Sequence, residues 1–261
     1  MYIDVHCHLT GDEYDEIGGV GSVIKSANDA GVNRIVCSGY DLSSSQIALQ
    51  LAERFDCVYF CAGFHPGELD KYRDGDLAEI ERFCRHEKCV AVGEIGLDYH
   101  FDDNPPKDLQ RKLFQEQLIL ADELRLPVVV HSRDASQETL EILKANTHLL
   151  KAGLLLHCYS YSAEIAREFL NLGAYFSFGG PCTFKNAKKV VQSVQSIPVS
   201  RILSETDCPY LTPEPFRGCF PNQPKHVVHV VKKLAQLKQM DEEQMKRTIL
   251  QNAERLFFKL K

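Results

Sequence analysis

The chain has 261 residues, 44% hydrophobic and 25% charged, enough to bury a sizeable core as one α/β barrel or two small domains. A formal net charge of −6 excludes a global basic field that draws polyanions, and no apolar run is long enough to span a bilayer. The opening Met1-Tyr2-Ile3-Asp4-Val5-His6 enters a strand pattern without the regions of a signal peptide, and the 10 cysteines are scattered without a CxxC pair. Reduced thiols in an intracellular, cytoplasmic protein are therefore expected, with nuclear access open.

In chain order, short β-branched or apolar runs recur at 2–5, 34–38, 58–62, 90–94, 127–131, 153–157, 174–178 and 202–205. Each is followed by a stretch of helical period, the pattern of βα units around a parallel sheet. The segment 107–125 is the clearest helix, with Leu109, Leu113, Phe114, Leu118, Leu120 and Ala121 along one stripe. Gly31, Gly153 and Gly173 stand between helix and strand, where a left-handed residue closes a helix. Asp241-Glu242-Glu243-Gln244 opens the last helix with acidic residues in its first turn. These units predict an α/β fold, a TIM (β/α)8 barrel forming a single domain over 1–261, with 209–224 as a long Pro-rich loop after the last strand.

Barrel enzymes carry their chemistry at the C-terminal ends of the strands. Here those ends hold His6-Cys7-His8, Glu94, His131, His157 and Glu205-Thr206-Asp207. Alternation along an extended chain puts His6 and His8 on the same side and Cys7 on the other. A single barrel histidine is usually a core or loop residue, and His86, His100 and His148 read that way. Imidazoles and carboxylates gathered at successive strand ends read as a metal site. The donor set suits zinc or manganese, with magnesium possible. Six ligands exceed the needs of one tetrahedral ion, so two divalent metal ions are expected. His6, His8 and Asp207 serve one, His131 and His157 the other, and Glu94 bridges them. Such a pair activates water for in-line displacement at a phosphodiester.

The chain resembles the TatD family of metal-dependent deoxyribonucleases, within the amidohydrolase-type barrels. The resemblance rests on Asp4-Val5-His6-Cys7-His8, Gly63-Phe64-His65-Pro66, Gly93-Glu94-Ile95-Gly96-Leu97-Asp98-Tyr99, His131-Ser132-Arg133-Asp134, His157-Cys158-Tyr159-Ser160 and Glu205-Thr206-Asp207-Cys208-Pro209-Tyr210-Leu211, in order along the whole chain. It implies metal dependence and DNA hydrolysis, with 3′-to-5′ exonuclease action preferring single-stranded ends. The six ligand positions match the family's pattern, with a glutamate where many amidohydrolase-type relatives carry a carboxylated lysine.

Beyond the ligands, His65 is a candidate for phosphate contact or proton transfer, against a role in ordering its turn. Arg133 is a candidate phosphate clamp, against a surface ion pair with Asp134. Tyr99 and Tyr159 are candidates for stacking on bases or bonding phosphate, against plain packing. Glu205 either moves a proton or braces the site, and Asp98 and Asp4 are expected braces. Arg217-Gly218 resembles a family element in the last loop, and Asn222 follows in a stretch that can cover substrate. No P-loop or dinucleotide fingerprint is present, so no nucleotide cofactor is expected, and a monomer is. Two rival readings are a barrel hydrolase of a non-nucleic ester, lactone or amide, and a non-catalytic metal-bound scaffold.

Overall fold

In the computed structural model, which describes residues 1–260, the buried strands form one sheet of 8 in the order of the chain. They are β1 (Tyr2–Cys7), β2 (Val32–Ser38), β3 (Val58–Ala62), β4 (Cys89–Asp98), β5 (Val128–Arg133), β6 (Leu154–Leu156), β7 (Tyr175–Phe178) and β8 (Ile202–Ser204). Each pairs in parallel with the next, which requires the chain to return over the outside each time. The returns are the helices α1 (Gly19–Asp29), α2 (Leu42–Arg54), α3 (Asp76–Cys84), α4 (Lys107–Leu124), α5 (Ser136–Ala145), α6 (Ala163–Asn171) and α7 (Lys188–Ser196). After β8 come α8 (Val227–Lys238) and α9 (Glu242–Leu256), the latter capped by the Asp241 side chain, which accepts from Gln244 N at 3.1 Å. Among the described residues no helix is long and apolar enough to cross a membrane.

The ring closes between β1 and β8. Asp207 N donates to His6 O at 3.0 Å and His8 N to Cys208 O at 2.7 Å. Below them Asp4, wholly buried, does the work of a missing ladder: its carboxylate accepts from Thr206 N at 2.9 Å and Thr206 Oγ1 at 2.6 Å. Asp4 thus ties the seam together and touches no ligand side chain. The result is a TIM barrel filled by strand side chains and wrapped by amphipathic helices. The stripe expected on α4 is the inward one, with Leu113, Phe114, Leu118, Leu120 and Ala121 buried.

The strand positions follow the sequence pattern closely, with differences concentrated at the mouth. β4 runs on to Asp98 where the pattern ends at 94, because it contains an irregularity that hydropathy does not show. Val92 faces Val128 while Ile95 faces Val130, so β4 uses an extra residue in this interval. The bulge re-aims Glu94 into the mouth, and the two flanking glycines make room for it. A Cβ on Gly93 would lie 2.7 Å from Val129 Cβ, and one on Gly96, at φ +141°, 2.0 Å from His131 O. β6 and β8 stop at Leu156 and Ser204, short of the expected ends, because the chain bends out of the ladder to present His157 and Asp207. Asp207 itself sits at φ +54°. Gly31 and Gly173 take the expected positive φ of 82° and 80°, whereas Gly153, at 132°, follows a 3-10 turn over Thr147–Leu149.

Gly96→Ala is expected to destabilise the protein by more than about 2 kcal/mol, because its Cβ collides with backbone in a strained conformation. Denaturant unfolding of the variant against wild type measures this, and an unchanged midpoint would refute the packing argument.

Candidate metal centre

Glu94 organises the mouth. It is 2% exposed, at the barrel centre, and its two carboxylate oxygens face different sets of imidazoles. Oε2 lies 3.1 Å from His6 Nε2 and 3.4 Å from His8 Nε2. Oε1 lies 2.8 Å from His131 Nδ1 and 2.7 Å from His157 Nε2. Asp207 Oδ1 completes the first set, 3.5 Å from His8 Nε2 and 3.8 Å from His6 Nε2. The six residues chosen from strand ends therefore converge, in two donor groups that share one carboxylate. His6, His8 and Asp207 form one group and Glu94, His131 and His157 another, each with donor atoms within 4.8 Å of one another.

Hydrogen bonds behind the rings decide which nitrogen faces inward. His8 Nδ1–H donates to Ser38 O at 2.9 Å, leaving Nε2 as the lone-pair nitrogen. His131 is reversed: Nε2–H donates to Asp98 Oδ2 at 2.9 Å, so Nδ1 faces Glu94. His6 Nδ1 pairs with Ser38 Oγ at 3.1 Å, which makes Ser38 a support for both histidines of β1. Asp98 also accepts from His100 N at 2.9 Å and from Asn104 Nδ2 at 3.0 Å, fixing the loop that carries it.

The chemistry of this donor set fits divalent cations. His6 Nε2 and His8 Nε2 are 3.3 Å apart, and His131 Nδ1 and His157 Nε2 are 3.2 Å apart. With the proton of His8 and that of His131 held on the far side of the ring, a cation between each facing pair satisfies the lone pairs that point at it. The carboxylates are ready for that role. Burial raises the Glu94 carboxyl, but His157, His6, His65 and His131 reverse the effect and hold it well below the usual range. Asp207 is likewise lowered against its burial, by His8, His157 and His6. Among the imidazoles, burial lowers His6, while Asp207 and Glu94 overcome burial and lift His8 to about 9, so its Nε2 holds a second proton between these carboxylates that a bound cation would replace.

All of these donors except the wholly buried His6 line one cleft of about 840 Å³ at the mouth, together with Tyr40, His65, Glu68, Lys71, Phe101, Arg133, Cys158 and Tyr210. His65 faces Glu94 Oε1 at 3.5 Å through Nε2 and accepts from Gly67 N at 3.0 Å through Nδ1, so it orders its turn and also reaches the centre. Arg133 lines the cleft, exposed, with its guanidinium 4.9 Å over the Phe101 ring. Asp134, its expected partner, instead bonds His100 Nδ1 at 2.7 Å.

Five further residues singled out in the sequence stand outside the cleft lining. Tyr99 follows Asp98 and so points out of the barrel, where its hydroxyl donates to Glu138 Oε2 at 2.7 Å and its ring lies under Lys107. Tyr159 is 4% exposed, packed on Phe176 and Phe178, with its hydroxyl donated to Ser162 O at 2.8 Å. Neither tyrosine lines the cleft. Glu205 is wholly buried, accepts from Ser177 Oγ, and stands 3.8 Å behind His157 Nδ1, which makes it a support for that ring without access to substrate. Arg217 stacks 4.1 Å over Phe184 away from the cleft lining, and Asn222 is buried, holding the last loop by donating to Thr206 O at 3.1 Å and Tyr210 O at 2.7 Å. Sequence reasoning missed Ser38, Phe101 and Tyr210. Only Tyr210 carried a signal, its place within the motif after Asp207.

A parallel barrel with this mouth is that of a metal-dependent hydrolase. The family model described as TatD related DNase matches residues 3–258, and the chain belongs to the TatD family. It is 43% identical over 257 residues to the uncharacterized metal-dependent hydrolase YabD of Bacillus subtilis, covering 98% of this chain and 99% of that one. It is 35% identical to YcfH of Escherichia coli K12, another protein described as a metal-dependent hydrolase, over 98% of this chain and 95% of that one. The crystal structure of YJJV, a TatD homolog from Escherichia coli K12, superposes with a TM-score of 0.92 at 32% identity, covering 98% of both chains.

Asp98→Asn keeps an acceptor for His100 N but can turn its amide donor toward His131, which moves the imidazole proton to Nδ1 and removes a lone pair from the centre. Metal affinity is expected to fall about 10- to 100-fold with the fold retained. Titration of chelator-stripped protein with manganese, alongside circular dichroism, checks this.

Proposed function

We propose that this protein hydrolyses DNA phosphodiester bonds, trimming single-stranded ends in the 3′-to-5′ direction that the family resemblance implies. The observation that carries the reading is the division of Glu94 between two donor groups, which supports a pair of cation positions at the bottom of one open cleft. His6, His8 and Asp207 would hold one cation, His131 and His157 the other, and Glu94 both, with zinc or manganese favoured by the imidazole content. Bound there, two divalent cations lower the pKa of water and stabilise charge on the attacking and leaving oxygens of an in-line displacement.

The chain's own residues orient the substrate. Burial, with His131 beside it, lowers His65 to about 3, so the ring is neutral. With Nδ1 accepting from Gly67, its proton sits on Nε2, which aims a neutral donor at the centre where a phosphate oxygen can accept. Arg133 is free of ion pairs among the described residues, and its planar guanidinium suits the neighbouring phosphate. Lys71, the other cation of the cleft, is tied to Glu68 at 2.5 Å and Asp41 at 3.3 Å. One free guanidinium beside Glu13 and Glu68 supports a short contact with a strand end better than a track along a duplex.

End-labelled single-stranded DNA given to protein stripped of metal and then restored with manganese should shorten from its 3′ end only after restoration. Glu94→Ala and Asp207→Ala should abolish shortening, and an active Glu94→Ala would contradict the shared carboxylate. Hydrolysis of a lactone with DNA left intact would overturn the nuclease reading. Separately, Arg133→Ala should raise KM for DNA by about 10- to 100-fold, the loss of a charge-assisted contact, as read from initial rates.

A further inference from the structure

The cleft carries two aromatic rings that the metal chemistry does not use, Phe101 and Tyr210. Phe101 is in the loop after β4 and Tyr210 in the loop after β8. In an eight-stranded ring these strands stand opposite one another, so the rings rise on opposite lips, with Glu94 and Asp207 rooted in the same two segments between them. Both are costly to leave in water, at 51% and 55% exposure. Yet both are held. Asn104 N donates to Phe101 O at 3.3 Å, and His100 packs edge-on against the Phe101 ring at 4.8 Å. Tyr210 N donates to Asp207 O at 3.1 Å, and its carbonyl accepts from the buried Asn222. Tyr99 and Tyr159 donate their hydroxyls to Glu138 and to the Ser162 carbonyl, whereas among the described residues the Tyr210 hydroxyl makes no hydrogen bond.

We propose that Phe101 and Tyr210 form a clamp that stacks unpaired nucleobases on either side of the phosphate held at the metal centre. This rests on the phosphodiester reading and adds the feature of the substrate that gives affinity. Flat neutral rings on opposite lips of a cleft that can hold a phosphate match a chain with a flat group on each side of every phosphate. The guanidinium of Arg133 covers part of the Phe101 ring, so one residue grips a phosphate and also polarises the platform beside it. Long-range attraction cannot replace this, since the protein's net charge is −6 and Glu13 and Glu68 line the same rim. A duplex keeps its bases stacked on one another and offers neither ring a face, so the clamp selects single strands.

The test uses fluorescence anisotropy of a short single-stranded oligodeoxynucleotide with cleavage-resistant phosphorothioate linkages, bound to manganese-loaded protein. Phe101→Ala and Tyr210→Ala should each weaken binding by about 5- to 100-fold, and Phe101→Tyr and Tyr210→Phe should restore it. A strand with abasic sites at its terminal positions should bind wild type as weakly as the alanine variants bind the intact strand, and the variants should lose nothing further on it. Manganese stoichiometry equal to wild type verifies that each variant is folded. Equal affinity of wild type for intact and abasic strands, or a loss in the variants that persists on the abasic strand, overturns the clamp. If wild type leaves DNA uncut, the nuclease reading fails, and the anisotropy comparison still decides whether bases stack here.

Discussion

A carboxylate at the floor of a barrel, almost stripped of water, must be neutralised or it unfolds what surrounds it. Glu94 is that group, and the rest of the mouth is arranged around satisfying it. Imidazoles from β1 and the residue just after it, from the segment after β3, from β5 and from the turn after β6 converge on its two oxygens. The aim of Glu94 at them follows in turn from the extra residue that β4 carries between Val92 and Ile95. A regular strand would alternate past this point and aim a different side chain at the centre. The glycines on either side are what permit the irregularity, because the backbone of β5 occupies the space where side chains would stand.

The outer layer of support has a consistent logic. A partner stands on the far side of each ring: a carbonyl hydrogen-bonds His8, a carboxylate His131 and a hydroxyl His6, while Glu205 lies 3.8 Å behind His157 without a hydrogen bond. His131 turns a different nitrogen inward from the other three because its acidic partner, Asp98, is on the neighbouring strand β4. Among these carboxylates Glu94 and Asp207 face the inward nitrogens, Asp98 fixes the His131 tautomer from the cleft wall, and the buried Glu205 stands behind His157.

Much of this was legible in the sequence because it depends on strand periodicity. Polar residues that interrupt apolar runs at their C-terminal ends mark the mouth of a barrel, which is why the six donors can be chosen without coordinates. Side-chain direction beyond the strand ends was not legible. Tyr99 reads like a cleft residue and points outward, because β4 runs on to Asp98, past the end of its hydropathy pattern at 94, and Tyr99 continues the alternation. Tyr159 turns into the core because Cys158 adopts φ +45° and reverses the chain. Ser38 could not be found from pattern at all, since its role depends on β2 lying next to β1, a tertiary fact about an ordinary hydroxyl. Phe101 sits in a loop, where no period exists to say which way a ring faces.

The seam between β1 and β8 has one more implication. Asp4 and Thr206 are separated by 202 residues, and the donor group of His6, His8 and Asp207 straddles the same join. During synthesis on the ribosome, His6 and His8 emerge with the first strand and Asp207 only after the eighth. A cation held there would fasten β1 to β8, so its capture would be an act of ring closure that an unfinished barrel could not perform.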